Sequence, residues 1–210
     1  DHPIVFIRTC YHVIVVNSKA LELAGVTKDT PQIEGGRFDI DEKGEPLGIF
    51  RERAQTLVNN HIPEPTVEEI KEMLKEGMKN ANECGITSIQ TDDFESFASK
   101  DYDKIIKAYE ELKEEGNISV RIYEQCLLPS VERLSGFFDK GYNTGHGDEF
   151  FKIGPLKLLG DGSLGARTAA LTKPYEDDPS TKGITIFEQE ELNEIVEKAH
   201  DNGMQIAIHG

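Results

Sequence analysis

Phe150-Phe151-Lys152-Ile153-Gly154-Pro155-Leu156-Lys157-Leu158-Leu159-Gly160-Asp161-Gly162 and the closing Met204-Gln205-Ile206-Ala207-Ile208-His209-Gly210 decide how this chain is read. Each is a short apolar run bounded by Gly or Pro, the pattern of a strand covered on both faces. Each also carries one ionisable side chain, Lys157 or His209, where a core strand would carry Val or Leu. Burying an unpaired ammonium or imidazolium is expensive, so such groups are paired, neutralised or bound to a metal. Which of these holds decides the chemistry.

Outward from those two runs, the chain alternates helix and strand from Thr66 onward. Thr66-Val67-Glu68-Glu69 has the form of a capping box, followed at helical spacing by Ile70, Met73, Leu74, Gly77, Met78 and Ala81. Gly85 ends that helix and Ile86 to Ile89 reads as a strand. A second helix turns Tyr102, Ile105, Ile106, Tyr109 and Leu112 inward, stops at Gly116 and leads to a strand over Ile118 to Cys126. A weaker helix over Val131 to Phe138 precedes the Lys157 strand, and a last one with Leu192, Ile195, Val196 and Ala199 inward precedes the His209 strand.

Such repetition is the signature of right-handed βαβ units and a parallel sheet. The expected class is α/β, a partial (β/α)₈ barrel of the TIM type; four strands are too few to close one, which takes about 250 residues. An open doubly wound sheet is the alternative. Residues 66–210 form this part, and residues 1–65 read as a β-rich insertion. In the insertion, Ile4 to Ile7 and Val13 to Val16 are strand-like, Asn17-Ser18 caps a helix ending at Gly25, and Phe38 to Phe50 reads as a hairpin. Asp39-x-Asp41-x-Lys43-Gly44 is not a calcium loop, because Phe50 stands where that loop requires Glu.

A formal net charge of -16 argues against nucleic acid as a partner, because neutralising phosphates requires clustered Lys and Arg. No apolar run reaches the roughly 18 residues of a membrane span, so no membrane partner is expected. Cys10, Cys84 and Cys126 are far apart and without a C-x-x-C pair, which predicts three separate buried thiols in a reducing, cytoplasmic setting. The start at Asp1 and the stop just after an apolar run suggest an internal fragment, with two unpaired sheet edges that favour self-association into a homo-oligomer.

In either architecture the active face lies at the C-terminal ends of the strands. Side chains at equal heights on adjacent strands stand about 5 Å apart, so Lys157 and His209 could share a metal site. Imidazole is the commonest metal ligand, and a neutral lysine amine can add carbon dioxide to present carbamate oxygens. The competing reading pairs Lys157 with Asp161 and leaves His209 a core histidine. Gly160-Asp161-Gly162-Ser163-Leu164-Gly165 fits G-x-G-x-x-G, but Pro174 denies it the long helix a dinucleotide site needs. Ser163, Arg167 and Thr168 offer donors on that loop, His12 offers an imidazole, and Glu52 and Asp92-Asp93 offer carboxylates.

Cys10 to Gly25, Gly44-Glu45-Pro46-Leu47-Gly48, Gly85-Ile86-Thr87-Ser88, Lys157 to Ala170 and Pro174-Tyr175 together resemble the YtcJ-like branch of the amidohydrolase superfamily, whose relatives include N-substituted formamide deformylases. The resemblance implies a metal-dependent hydrolase of amide-like C-N bonds in a small-molecule substrate. It also implies divalent metal, zinc in one or two ions, with Lys157 carboxylated at the end of the fourth barrel strand and His209 a ligand on the fifth. The fragment would then hold about strands 2 to 5. His12, Asp161 and Arg167 stand in segments on the substrate side. The family's first-strand H-x-H pair, sixth-strand His and eighth-strand Asp have no counterpart here, so the chain by itself is expected to bind metal weakly and turn over nothing.

Overall fold

In the computed structural model, which describes residues 2–9 and 12–210, the chain divides after Glu64 into two units. Cys10 and Tyr11, which belong to the His12 motif, lie outside the described residues.

The first unit is built on one antiparallel sheet of β1 (Val5–Ile7), β2 (Val13–Val16), β3 (Gly36–Ile40) and β4 (Pro46–Glu52), in the order β1-β2-β4-β3. Asn17 caps α1 (Ser18–Ala24) by accepting the Ala20 N–H, and Gly25 closes it at φ 64°, where glycine carries no steric cost. The expected hairpin is β3 and β4. Its acidic opening serves the turn, since Oδ1 of Asp41 accepts the N–H groups of Lys43 and Glu45 at 2.8 and 2.9 Å. Phe38 and Phe50 face each other across the ladder with ring centroids 5.7 Å apart, and Ile14, Val16, Ala54 and Val58 complete the core with α2 (Thr56–Asn59).

The second unit is an all-parallel sheet in sequence order: β5 (Ser88–Thr91), β6 (Arg121–Leu127), β7 (Phe151–Leu159) and β8 (Ile206–His209). The helices α3 (Val67–Glu83), α4 (Tyr102–Glu114), α5 (Val131–Asp139) and α6 (Gln189–Asp201) alternate with them. Ile122, Glu124 and Cys126 of β6 and Phe151, Ile153, Leu156 and Leu158 of β7 are all buried on one face. There they meet Ile105, Ile106, Tyr109 and Leu112 of α4 and Ile195 and Ala199 of α6. A bulge at Gly154-Pro155 lets Glu124 pair with Ile153 but Cys126 with Leu156, so Lys152 and Lys157, five residues apart, share the opposite face.

Three details differ from the sequence reading, each for a local reason. The strand expected at Ile86 begins at Ser88, because Gly85 at φ 75° and the Ile86 N–H, bonded to the Ala81 carbonyl at 2.9 Å, belong to the end of α3. On α3, Met73 is exposed and Lys71 is buried instead, its ammonium held by carboxylates of Glu68, Glu111 and Glu115 that bridge α3 to α4. Cys84 is exposed, against the buried thiol expected, because it caps the same helix; Cys126 is buried. Among the described residues, no helix is long and apolar enough to cross a membrane.

Leu112 is wholly enclosed between α4 and the sheet. Leu112→Ala is expected to lower unfolding free energy by about 2–5 kcal/mol in urea titration, the cost of the lost transfer energy and the cavity.

Candidate functional site at the strand ends

Strand pairing settles where Lys157 and His209 stand. Lys157 pairs with Leu127 on one side and Ala207 on the other, and His209 pairs with Leu159. Partners in a parallel ladder face the same way and side chains alternate, so Lys157 and His209 lie on the same face, opposite the helices. They are not at equal height. His209 stands two residues farther along, which puts the two Cα atoms about 8 Å apart rather than 5 Å. Neither belongs to a wall covered on both faces, since Lys157 is only partly buried and the His209 side chain is 50% exposed.

The pairing of Lys157 with Asp161 does not form. Among the described residues the Lys157 ammonium makes no hydrogen bond or ion pair; its charge is felt by Asp92, whose carboxyl it pulls downward. The surrounding protein and the charge of Asp93 outweigh that pull and hold Asp92 above the usual carboxylate range. Asp161 turns to His209 instead. Its Oδ1 lies 3.0 Å from His209 Nδ1, while its Oδ2 accepts the Ala170 N–H at 2.8 Å.

The loop after β7 is folded on itself. Gly160 donates its N–H to the His209 carbonyl at 2.8 Å, and a Cβ there would stand 2.9 Å from that oxygen, so the position takes glycine. Thr168 closes the turn, its N–H reaching the Ser163 carbonyl and its hydroxyl accepting the Ser163 N–H. A 3₁₀ turn over Leu164–Ala166 is the only helical segment the glycines lead into, which removes the dinucleotide reading. Arg167, at φ 60°, places its guanidinium on Asp177 and near the Tyr175 ring, whose hydroxyl donates to the Ala169 carbonyl.

At the end of β5, Asp93, one of the carboxylates the sequence offered, belongs to a cluster whose buried member Glu124 the sequence reading missed. Glu124 is fully buried on the helix side, and its Oε1 accepts the Asp93 N–H at 2.9 Å. Asp93 in turn accepts hydroxyls from Thr91 and Tyr109. Burial, then the Asp93 charge, pushes the Glu124 carboxyl well above its usual range. The signal was present in Ile122-x-Glu124-x-Cys126, an acid at an inward position of an otherwise apolar alternation.

His12, in the first unit, has Nδ1 within 3.1 Å of both Glu52 carboxylate oxygens, and Glu52 donates its N–H to the His12 carbonyl. Glu52 has φ 50°, a strained backbone for a residue with a side chain.

The described residues contain no group of three or more His, Cys, Asp or Glu side chains placed to hold a metal. The donor chemistry at the ends of β7 and β8 nevertheless suits a share of such a site. The imidazole of His209 lies beside a buried Asp161 oxygen, and on the same face the Lys157 amine has no hydrogen bond or ion pair among the described residues.

Comparison with known proteins places the chain in a family. Residues 1–210 match the amidohydrolase family, Amidohydro_3. YtcJ of Bacillus subtilis (strain 168), named as an amidohydrolase, is 32% identical over all of this chain and 38% of its own length. The N-substituted formamide deformylase of Arthrobacter pascens is 22% identical, again over 100% of this chain and 38% of its own. The crystal structure of an uncharacterized metal-dependent hydrolase from Pyrococcus horikoshii OT3 superposes with a TM-score of 0.76 at 35% identity, covering 100% of this chain and 39% of that one. The chain thus spans less than two fifths of the length of each of these three proteins.

Glu124 sets a pH dependence whose sign is fixed. A carboxyl whose folded pKa is above its unfolded value, near 4.3, binds more protons when folded, so stability is greatest below that value and declines as pH rises. Urea titrations from about pH 5 to about pH 8 should show Glu124→Gln gaining on the unsubstituted chain as pH increases. A constant difference across that range would mean that Glu124 is ionised in the folded state.

Proposed function

The chain belongs to the amidohydrolase family, and from that membership we propose that Lys157 and His209 hold a divalent metal, zinc, in a hydrolase that splits an amide-like C-N bond of a small molecule. One observation carries the assignment to these residues. Lys157 and His209 share a face on adjacent strands at the sheet's C-terminal end, and the Lys157 ammonium has no hydrogen-bond or ion-pair partner among the described residues. The four strands are accordingly read as strands 2 to 5 of an eight-stranded barrel, and the name of the deformylase relative supports the bond type.

In this reading the neutral Lys157 amine forms an N–C bond to carbon dioxide and releases a proton to solvent, leaving a carbamate with two oxygen donors. His209 contributes one ring nitrogen. A bound metal supplies a water acidified toward neutrality and polarises the substrate carbonyl. In the same reading the loop from Gly160 to Ala170 borders the site and Arg167, whose guanidinium is held by Asp177, lines the substrate side.

A zinc site needs about four ligands, and two come from here, so the 210 residues alone are proposed to bind metal weakly and to be inactive. They are also proposed to self-associate through β5 and β8, the edge strands of the parallel sheet; sedimentation velocity should then show species above the monomer mass.

The test uses the full-length protein. Metal content by plasma mass spectrometry, with a panel of N-substituted formamides and other small amides, should show Lys157→Ala and His209→Ala losing both metal and hydrolysis. Added acetate should partly restore the Lys157→Ala variant by replacing the carbamate oxygens. A Lys157→Ala variant with full metal content and full activity overturns the assignment.

A further inference from the structure

We propose that Asp92 recognises substrate at the same site, and that the hydrolase takes amides carrying an ammonium group a short chain away from the bond it splits. This rests on the hydrolase reading given above and deepens it by naming a substrate class.

Asp92 follows the last residue of β5, at the sheet's C-terminal end. Its neighbours on both sides are turned to the helices. Thr91 pairs with Glu124, which is buried on that side. Asp93 accepts the hydroxyls of Thr91 and of Tyr109 from α4, and its N–H is held by Glu124 Oε1 at 2.9 Å. Asp92 keeps an extended φ of -137°, and side chains alternate along extended backbone, so it is directed to the opposite face, the one that carries Lys157 and His209. Consistent with that placement, the Lys157 charge acts on Asp92, although the two form no ion pair. β6 lies between β5 and β7, which sets their backbones about 10 Å apart, so the two side chains flank the width of a strand rather than meet.

The turn that presents Asp92 is held from behind. Glu124, Thr91 and Tyr109 fix Asp93, and the next residue, Phe94, is buried in the core. The Asp92 side chain itself is exposed at the strand end and makes no hydrogen bond or ion pair with another described residue. Burial of its surroundings and then the charge of Asp93 act against its ionised form, and a cation beside it opposes both. An alkyl ammonium answers that need, because it brings a positive charge together with three N–H donors to a group that only accepts. A substrate carboxylate is repelled by the same pair of acids.

The test uses formamides of nearly equal length on the full-length protein: N-(4-ammoniobutyl)formamide, the neutral N-pentylformamide and 5-formamidopentanoate. Preference is read as the ratio of kcat/KM where the probes are hydrolysed and as calorimetric affinity where they are not. The ammonium probe should be favoured over the neutral one about 10-fold, the scale of a hydrogen bond between charged groups, and the carboxylate probe should rank last. Asp92→Asn keeps the shape and removes the charge, and should erase the preference with metal content and thermal midpoint unchanged. Asp92→Lys should turn the preference toward the carboxylate. In the unsubstituted protein the preference should shrink as salt is raised from about 0.05 to about 0.5 M, a measurement that needs no variant. Equal handling of the ammonium and neutral probes, or a preference that survives in Asp92→Asn, overturns the inference. If Lys157→Ala keeps full metal content and full activity while the ammonium preference stands, the assignment of Lys157 fails and that of Asp92 does not, so the two failures are told apart.

Discussion

The pairing of β7 with β8 is the constraint on which the rest depends. Its ladder runs from Leu156 with Ile206 to Leu159 with His209, and Gly160 extends it by one more bond to the His209 carbonyl. A shift of register by one residue would turn Lys157 toward the helices and Leu156 toward the open face, because side chains alternate along a strand. The apolar residues of both strands forbid that shift. Leu156 and Leu158 are fully buried among α4 and α6 residues, and exchanging them for Lys157 would place an ammonium in that core. Hydrophobic burial on one face thus fixes the positions of the polar groups on the other.

The two faces of the parallel sheet treat charge differently, and the difference explains which charged groups are structural. Lys71 is buried yet surrounded by three carboxylates, one from its own helix and two from α4, so its charge is answered where it stands. Glu124 is buried with one oxygen answered by the Asp93 N–H and the other by nothing among the described residues, and that burial pushes its carboxyl well above the usual range. Lys157 has neither solution. It stands on the open face with no hydrogen bond or ion pair among the described residues, its charge acting on Asp92, and the metal-site proposal draws on that condition.

Much of the fold was legible because local signals agreed with one another. The capping box at Thr66, the Asn17 cap, the left-handed Gly25 and the apolar faces of α4 and α6 each had a mechanism readable from residue type and spacing. Periodicity failed on α3 because it scores side chains singly. Lys71 is buried among carboxylates from residues forty and more farther along the chain, while Met73, two positions on, is exposed. Relative height failed for a similar reason. Two apolar runs show that Lys157 and His209 are on strands, but only the register of β8 against β7 shows that they are offset by two residues. The Asp161 contact was beyond reach altogether, since it depends on a loop that reverses on itself through Thr168 and Ala170.

That loop also shows why the most specific stretch of the sequence carries so much glycine. Gly160 lets the chain pass close to the β8 backbone, and at Gly162 a Cβ would collide with Thr168. The first contact sets the start of the loop against the end of β8 and the second folds the loop on itself, which is how Asp161 comes to stand beside a histidine 48 residues later in the chain, on the neighbouring strand. A substitution at either glycine would act on His209 without touching it, by moving the carboxylate that faces its ring. The glycines and the acid are therefore one device, and the apolar ladder beneath them supplies the fixed strand ends against which it works.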